Sequence, residues 1–151
     1  MGIVSGGGGG GGSGAEIGYT QITANVNIVG TTEGTATTVI SPGALTFTGQ
    51  PVLVQFCTNG LRPPSTVSQS ANVGLFESGT LVLKMGNETC WAAGVQIVTP
   101  VYYQGRFTPS AGSHTYLVAA WADSTTGTPL VAAGLGGAGN TSPASVRFAY
   151  A

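Results

Sequence analysis

The sequence predicts an all-β protein built as an antiparallel β-sandwich of the jelly-roll type. From Ile17 onward, apolar residues recur with a period of two, which is the spacing of strands with one buried face. Turn signals rich in Gly, Pro, Asn and Ser return every ~8–12 residues, as they do in sandwiches and jelly rolls. β-branched Val, Ile and Thr are frequent, and no long stretch places good helix formers at helical spacing.

Five segments show the alternation in chain order, and we expect roughly eight to ten short strands in all. The residues that share one face are Ile22, Ala24, Val26 and Ile28 in "ITANVNI", Val52, Val54 and Phe56 in "PVLVQFCT", Leu81 and Leu83 in "TLVLKM", Tyr116, Val118 and Ala120 in "HTYLVAAWA", and Val146, Phe148 and Tyr150 in "SVRFAYA". The fourth segment is apolar on both faces, which predicts either a central strand or a strand that faces another subunit.

The chain divides into a glycine-rich N-terminal arm, residues 1–16, and one sandwich domain, residues 17–151. Seven consecutive glycines, Gly6, Gly7, Gly8, Gly9, Gly10, Gly11 and Gly12, have no side chains with which to form a core. Such a run serves as a flexible tether or linker unless something holds it, because ordering glycine costs more conformational entropy than ordering any other residue. We predict that it is a docking arm for a partner.

Charge is scarce throughout the chain. Charged residues make up 6% of the sequence, with four basic and five acidic side chains and a net charge of −1. Four cations cannot form the basic field that a nucleic-acid partner requires. The longest nearly apolar run, "YLVAAWA", is far shorter than the ~20 residues of a membrane span, and the start lacks the pattern of a secretion signal. A neutral, hydroxyl-rich surface instead suits an assembly.

Self-association, most simply as a homotrimer, would cover apolar faces and strand edges that few charges protect. The candidate interface residues are Leu117, Ala119, Trp121, Phe148 and Tyr150. The alternative is that both strands are central strands of a monomer core.

Catalysis has little support in the sequence, and we expect no enzyme activity, cofactor or metal site. His114 is the single histidine, no Ser-His-Asp or Cys-His order is evident, and the acids fall mostly at turns or strand ends. Cys57 and Cys90 pair only if their strands are neighbours, and two buried free thiols are the favoured alternative. "GLGGAG" resembles a phosphate loop, but a turn and a strand follow it rather than a helix.

Exposed aromatic residues could bind a glycan. Trp91, Tyr102 and Tyr103 are the candidate contacts, since aromatic rings on a polar sandwich surface stack on sugars, although core packing takes most large aromatics.

The stretches "GYTQITANVNIVGTTEGTATTVISPGALTFTGQPVLVQF", "RFTPSAGSHTYLVAAWA" and the closing "SVRFAY" resemble jelly-roll modules of tailed-bacteriophage structural proteins. The C-terminal half is also similar to the trimeric sandwiches of the C1q and tumour-necrosis-factor type. The resemblance spans roughly residues 17–151 and carries no catalytic residues.

The resemblance implies a virion protein, made in the host cytoplasm and located on the surface of the capsid or tail. Because only a short arm precedes the sandwich, we expect a capsid-decorating or head-spike trimer whose arm docks on the major capsid protein or another virion protein. The alternative is the receptor- or glycan-binding head of a tail fibre or minor tail protein.

Overall fold

The computed structural model of the chain describes residues 12–136 and 141–151. These contain eleven strands: β1 (Glu16–Ile22), β2 (Val26–Asn27), β3 (Thr37–Ile40), β4 (Ala44–Thr48), β5 (Val52–Arg62), β6 (Ser70–Glu77), β7 (Thr80–Thr89), β8 (Thr99–Phe107), β9 (Ala111–Ala122), β10 (Leu130–Ala132) and β11 (Ala144–Tyr150). One turn of 3-10 helix covers Glu33–Thr35. Within these ranges no helix has the length and apolar character needed to span a bilayer.

The strands form two antiparallel sheets. The front sheet has the order β1–β11–β5, with β8 on the other edge of β5 and with β10 and β2 continuing beside the end of β5. The back sheet has the order β9–β6–β7, with β3 and β4 both pairing with β9. From β5 onward the chain crosses repeatedly between the sheets, which is the connectivity of a jelly roll. The prediction of an all-β antiparallel sandwich is confirmed.

The core lies between the sheets and follows the period-two pattern. In β5, Val52, Val54 and Phe56 are completely buried, and in β9 Val118 and Ala120 are as well. β11 contributes its own inward row of Ala144, Val146 and Phe148, all completely buried. Four aromatic rings, Phe47, Phe107, Tyr116 and Phe148, meet edge-to-face or stacked with ring centroids 5.0–6.5 Å apart.

Two local expectations are wrong. "ITANVNI" is not one strand: β1 ends at Ile22, whose partner Ala144 is the first residue of β11, so the ladder stops there. Asn25 instead turns the chain, and its side-chain oxygen accepts the amide of Ala133 at 2.9 Å. Leu81 and Leu83 do not share a face, because a β-bulge between β6 and β7 separates their pairings.

The sandwich has two distinct ends. The arm end contains residues 12–15, where β1 begins, and the turns at 49–51, 78–79 and 108–110. The loop end contains residues 63–69, 90–98 and 123–129, which follow the far ends of β5, β7 and β9. Because the eleven residues of β5 connect the two ends, they lie roughly 33 Å apart at the ~3.3 Å rise of a strand.

Candidate binding surfaces

The outward face of the front sheet carries a hydrogen-bonded row of polar side chains. Arg147 donates from Nε to Glu16 Oε2 at 2.9 Å and from Nη1 to Gln55 Oε1 at 3.1 Å. The Gln55 amide in turn donates to the hydroxyl of Tyr102. Tyr19 and Tyr102 are 50% and 58% exposed. The row therefore pairs Arg147 with Glu16 and leaves two phenol rings accessible, and the exposed Arg106 of β8 lies on the same face. This composition suits a protein or sugar partner.

Gln55 and Arg147 were not among the residues that the sequence singled out. The one available signal was that each is a long polar residue at an outward position of a strand whose inward positions are apolar. The sequence could not show that β5 and β11 are neighbours, and only that pairing brings the two side chains together.

Tyr102 and Tyr103 point to opposite faces, so they cannot form one platform. The Tyr103 ring packs into the sandwich, so close to Gly86 that a Cβ there would lie 2.5 Å from it. Its hydroxyl donates to Glu88 Oε1 at 3.3 Å. Burial first, and then the charge and hydrogen bond of Glu88, raise the pKa of Tyr103 well above its usual value. Tyr103 is therefore a half-buried hydrogen-bond donor to Glu88, on the opposite face of β8 from Tyr102. Its role as a glycan contact stays a prediction.

The back sheet carries a second apolar cluster on its outer side. Ala119 and Trp121 of β9 pack there against Phe76, with the Trp121 and Phe76 rings edge-to-face at 6.0 Å. Leu117, Leu81 and Ala36 complete the cluster. The ammonium of Lys84 lies 5.9 Å from the Trp121 ring centroid. Ala119 and Trp121 are thus mostly covered within their own protomer.

A pocket of about 110 Å³ adjoins this cluster, between the 3-10 turn and the sheet. Its lining includes Leu117, Ala119, Phe76 and Glu33. Of the predicted interface residues of β9, Leu117 alone remains half-exposed here.

The predicted interface residues of β11 point into the sandwich. Phe148 has no accessible surface, and its ring packs against Phe47 and Tyr116 at 6.3 Å from each. Tyr150 lies in the same row, half-buried against the core. Phe148 therefore cannot contact another subunit, which corrects its assignment as an interface residue. The alternation that suggested an apolar outer face belongs to a core strand.

Trp91 is the most exposed large apolar side chain in the described residues, at 84%. It lies in a short turn at the loop end that several hydrogen bonds hold. The Cys90 amide donates to the carbonyl of Gln69 at 2.9 Å, and the Ser68 amide donates to the carbonyl of Cys90 at 2.9 Å. The Cys90 thiol lies 3.1 Å from the carbonyl of Ala92. The indole is therefore presented by an anchored backbone.

A small pocket of about 30 Å³ opens beside Trp91. Its lining includes the polar residues Glu88, Thr89 and Thr99 and the apolar residues Ile97 and Pro63. The Thr89 hydroxyl already lies 2.7 Å from the hydroxyl of Ser70. This volume holds about one water molecule or one ligand hydroxyl. An aromatic plate next to a few convergent polar groups is a typical ligand-binding composition.

The end of the arm is fixed to the sandwich. The Gly14 amide donates to the Tyr150 carbonyl at 2.7 Å, and the Tyr150 amide donates to the Ala15 carbonyl at 2.9 Å. Gly12 is exposed. The predicted docking residues Gly6–Gly11 lie outside the described residues.

His114 lies at the arm end, within hydrogen-bonding distance of Glu77. Its Nδ1 is 2.6 Å from Glu77 Oε1, and its ring stacks on Tyr116 at 5.6 Å. Nε2 lies 3.1 Å from the hydroxyl of Ser110. The pair ties the turn after β6 to the turn after β8, which is a structural arrangement.

The remaining titratable groups are dispersed. Within residues 12–136 and 141–151 no three His, Cys, Asp or Glu side chains gather as metal ligands would. Asp123 accepts the amide of Ser70 at 2.8 Å. Cys57 and Cys90 are both free, with Cys57 half-exposed on the front sheet and Cys90 buried at the loop end.

No family model and no curated protein matches the chain. Among solved structures, the chain is similar to a carbohydrate-binding module, CBM6cm-2 of Cellvibrio mixtus lichenase 5A in complex with cellotriose. The two chains are 16% identical, the match covers 92% of each, and the TM-score is 0.40. A similarity this low carries no information about what the present chain binds.

Proposed function

We propose that this chain is a non-catalytic structural protein of a tailed-phage virion, a β-sandwich head that decorates the particle as a homotrimer and docks through its N-terminal arm. The virion context comes from the resemblance of residues 17–151 to phage jelly-roll modules. The main support for docking through the arm is the way the arm is attached to the sandwich. Its last residues are hydrogen-bonded to Tyr150, so the arm leaves the sandwich from a fixed position at one end.

Deletion of residues 1–11 tests the docking role. This truncation keeps Gly14 and Ala15, whose hydrogen bonds to Tyr150 belong to the fold. We expect the full chain to co-sediment saturably with stripped phage capsids, and the truncated chain to lose at least tenfold in affinity. A truncated chain that is folded and binds the capsids as well as the full chain would refute the docking arm.

The outward face of the front sheet is the surface that we assign to self-association. It exposes Tyr19 and Tyr102, pairs Arg147 with Glu16, and also carries the exposed Arg106 of β8. Tyrosine and arginine are enriched at protein interfaces.

Light scattering tests the trimer. We expect a particle of three times the 14.9 kDa protomer mass. Tyr102→Asp places a charge in the proposed contact and should yield the monomer, because burying an unpaired charge is costly. Val82→Asp, at a residue that is 39% exposed on the back sheet, is the matched control and should leave the trimer intact. A monomeric wild-type chain at micromolar concentration would contradict self-association in solution.

A second candidate is the glycan-binding head of a tail fibre or minor tail protein. The observation that favours it is the 84% exposure of Trp91 on an anchored turn, at the end of the sandwich opposite the arm. In this arrangement the arm end would face the virion and the loop end would face outward. Loss of binding to host-cell glycans on Trp91→Ala, with the fold retained, is the test.

A further inference from the structure

We propose that Trp91 and the adjoining pocket bind a single neutral pyranose ring, with the indole under the ring and one sugar hydroxyl in the pocket. The inference deepens the second candidate function, since it names the ligand class and the residues. It does not depend on the arm.

The exposure of Trp91 is the first step. A Trp side chain buries 150–250 Å² in a typical core, yet this indole remains 84% exposed while Trp121 is only 9% exposed. The turn that carries Trp91 is also tied to the neighbouring loop, because the Gly94 amide donates to the Ser65 carbonyl at 2.9 Å. A rigid aromatic plate loses little entropy when a ligand stacks on it.

The pocket supplies the second step. At about 30 Å³ it accommodates one hydroxyl group, and its lining includes Glu88 and Thr99. A carboxylate only accepts hydrogen bonds, whereas a threonine hydroxyl can donate or accept. Sugar hydroxyls also donate and accept, so a hydroxyl that enters the pocket can satisfy both types of group. The Tyr103 hydroxyl donates a hydrogen bond to Glu88 and so orients the Glu88 carboxylate.

The charge of the site selects among sugars. Glu88 is acidic, and no Lys, Arg or His lines the pocket. A sialic or uronic acid would bring its own carboxylate toward Glu88, and like charges at an interface are unfavourable. A neutral hexose meets no such repulsion. The site therefore favours neutral hexoses over acidic ones.

The apolar neighbours of Trp91 offer a competing occupant. Val95, Ile97 and Val98 are 46–55% exposed, so a protein surface could also cover this end. The pocket favours the sugar, because one sugar hydroxyl fits its volume of about 30 Å³ and can donate to Glu88, whereas an apolar protein side chain cannot.

Saturation-transfer NMR on the full chain tests the site, since it observes sugar protons and needs no tryptophan reporter. The probes are glucose, galactose, mannose and N-acetylglucosamine, with glucuronic acid as the acidic comparison. We expect at least one neutral sugar to bind with a dissociation constant on the order of millimolar, as suits a dozen-atom ligand. Glucuronic acid should give at least tenfold weaker binding.

Variants locate the ligand. Trp91→Ala should weaken binding at least tenfold, and Glu88→Gln should weaken it about fivefold, because a charge-assisted hydrogen bond becomes a neutral one. Val29→Ala trims another exposed apolar side chain, 70% exposed and outside the pocket, and should leave sugar binding unchanged. Circular dichroism and thermal melting show whether each variant is folded. Trp91→Phe keeps an aromatic plate and should retain part of the affinity if Trp91→Ala proves unstable.

Three results would overturn the inference. The first is that no neutral sugar binds at tens of millimolar, and the second is that Trp91→Ala leaves sugar binding intact. The third is that Trp91→Ala lowers the oligomer mass without affecting sugar binding, which would assign the surface to a protein contact. Capsid binding by the full chain and its loss on deletion of residues 1–11 are measured separately. Failure of the sugar site is thereby distinguished from failure of the docking arm.

Discussion

Replacing Phe148 with alanine separates a core role from an interface role. The side chain is completely buried between the sheets. Removing a buried Phe side chain typically costs 3–5 kcal/mol, from lost burial and from the cavity left behind. The ring also packs edge-to-face on Phe47 and stacks on Tyr116, and each aromatic pair adds about 0.5–1.5 kcal/mol. We therefore expect a loss near the upper limit, about 4–5 kcal/mol.

Urea unfolding measures this loss. With a slope of about 2 kcal/mol per molar urea, the midpoint should fall by about 2 M. Because Phe148 lies inside one protomer, the fall should be the same at every protein concentration, after the oligomer is accounted for in both proteins. Val82→Ala is the matched control, since that side chain is 39% exposed on the back sheet and its removal should cost at most about 1 kcal/mol.

One result would refute this reasoning. If Phe148→Ala left the unfolding of the dissociated protomer unchanged and only weakened association, the ring would act between subunits. The assignment of Ala144, Val146 and Phe148 to the core side of β11 would then be wrong.

Three further predictions follow from the same packing. Thr37→Val should lower the free energy of unfolding by about 1–3 kcal/mol in urea titrations, because the Thr37 hydroxyl accepts two backbone amides at 3.0 Å that would lose their partner. Gly86→Ala should lower the melting temperature by several degrees, since its Cβ would lie 2.5 Å from the Tyr103 ring. Gly79→Ala is the comparison: its Cβ would meet open space, but its φ is +79°, so it tests backbone strain alone. Burial and then the Glu77 carboxylate raise the pKa of Tyr116 to about 12, so the folded state keeps a proton that the unfolded state releases near pH 10. The free energy of unfolding should therefore fall between pH 10 and 12, and Tyr116→Phe should reduce the slope of that fall by one proton.

The architecture could be predicted because period-two alternation is a local property. β5 and β9 show it clearly, and each buries the predicted row. In β11 the same alternation places Val146 and Phe148 in the core and leaves Tyr150 half-buried. The double apolar character of β9 was also informative, because its outer residues Ala119 and Trp121 are covered as well. What covers them is the chain's own Phe76 and its neighbours.

The errors arise where the face on which a side chain lies depends on how its strand pairs with its neighbours. A one-residue bulge turns Leu81 to the outer cluster while Leu83 packs on the core, and nothing in "TLVLKM" signals it. Phe148 alternates with Arg147 in the same way whether its row faces a core or a partner. Tyr102 and Tyr103 are adjacent in sequence, and adjacency in a strand places side chains on opposite faces. That last point could have been read from the sequence once β8 was recognised as a strand.

The two ends of the sandwich have independent tasks in the proposed function, and the fold gives a physical reason. β5 links the arm end to the loop end, and both of its edges are paired, with β11 and β10 on one side and β8 on the other. A strand hydrogen-bonded on both edges cannot shift its register without breaking both ladders. Through β5, therefore, binding at Trp91 is not expected to alter residues 12–15, the described end of the arm, some 33 Å away. Effects of changes at sites this far apart should add, so a double variant should lose both activities to the extent that each single variant does.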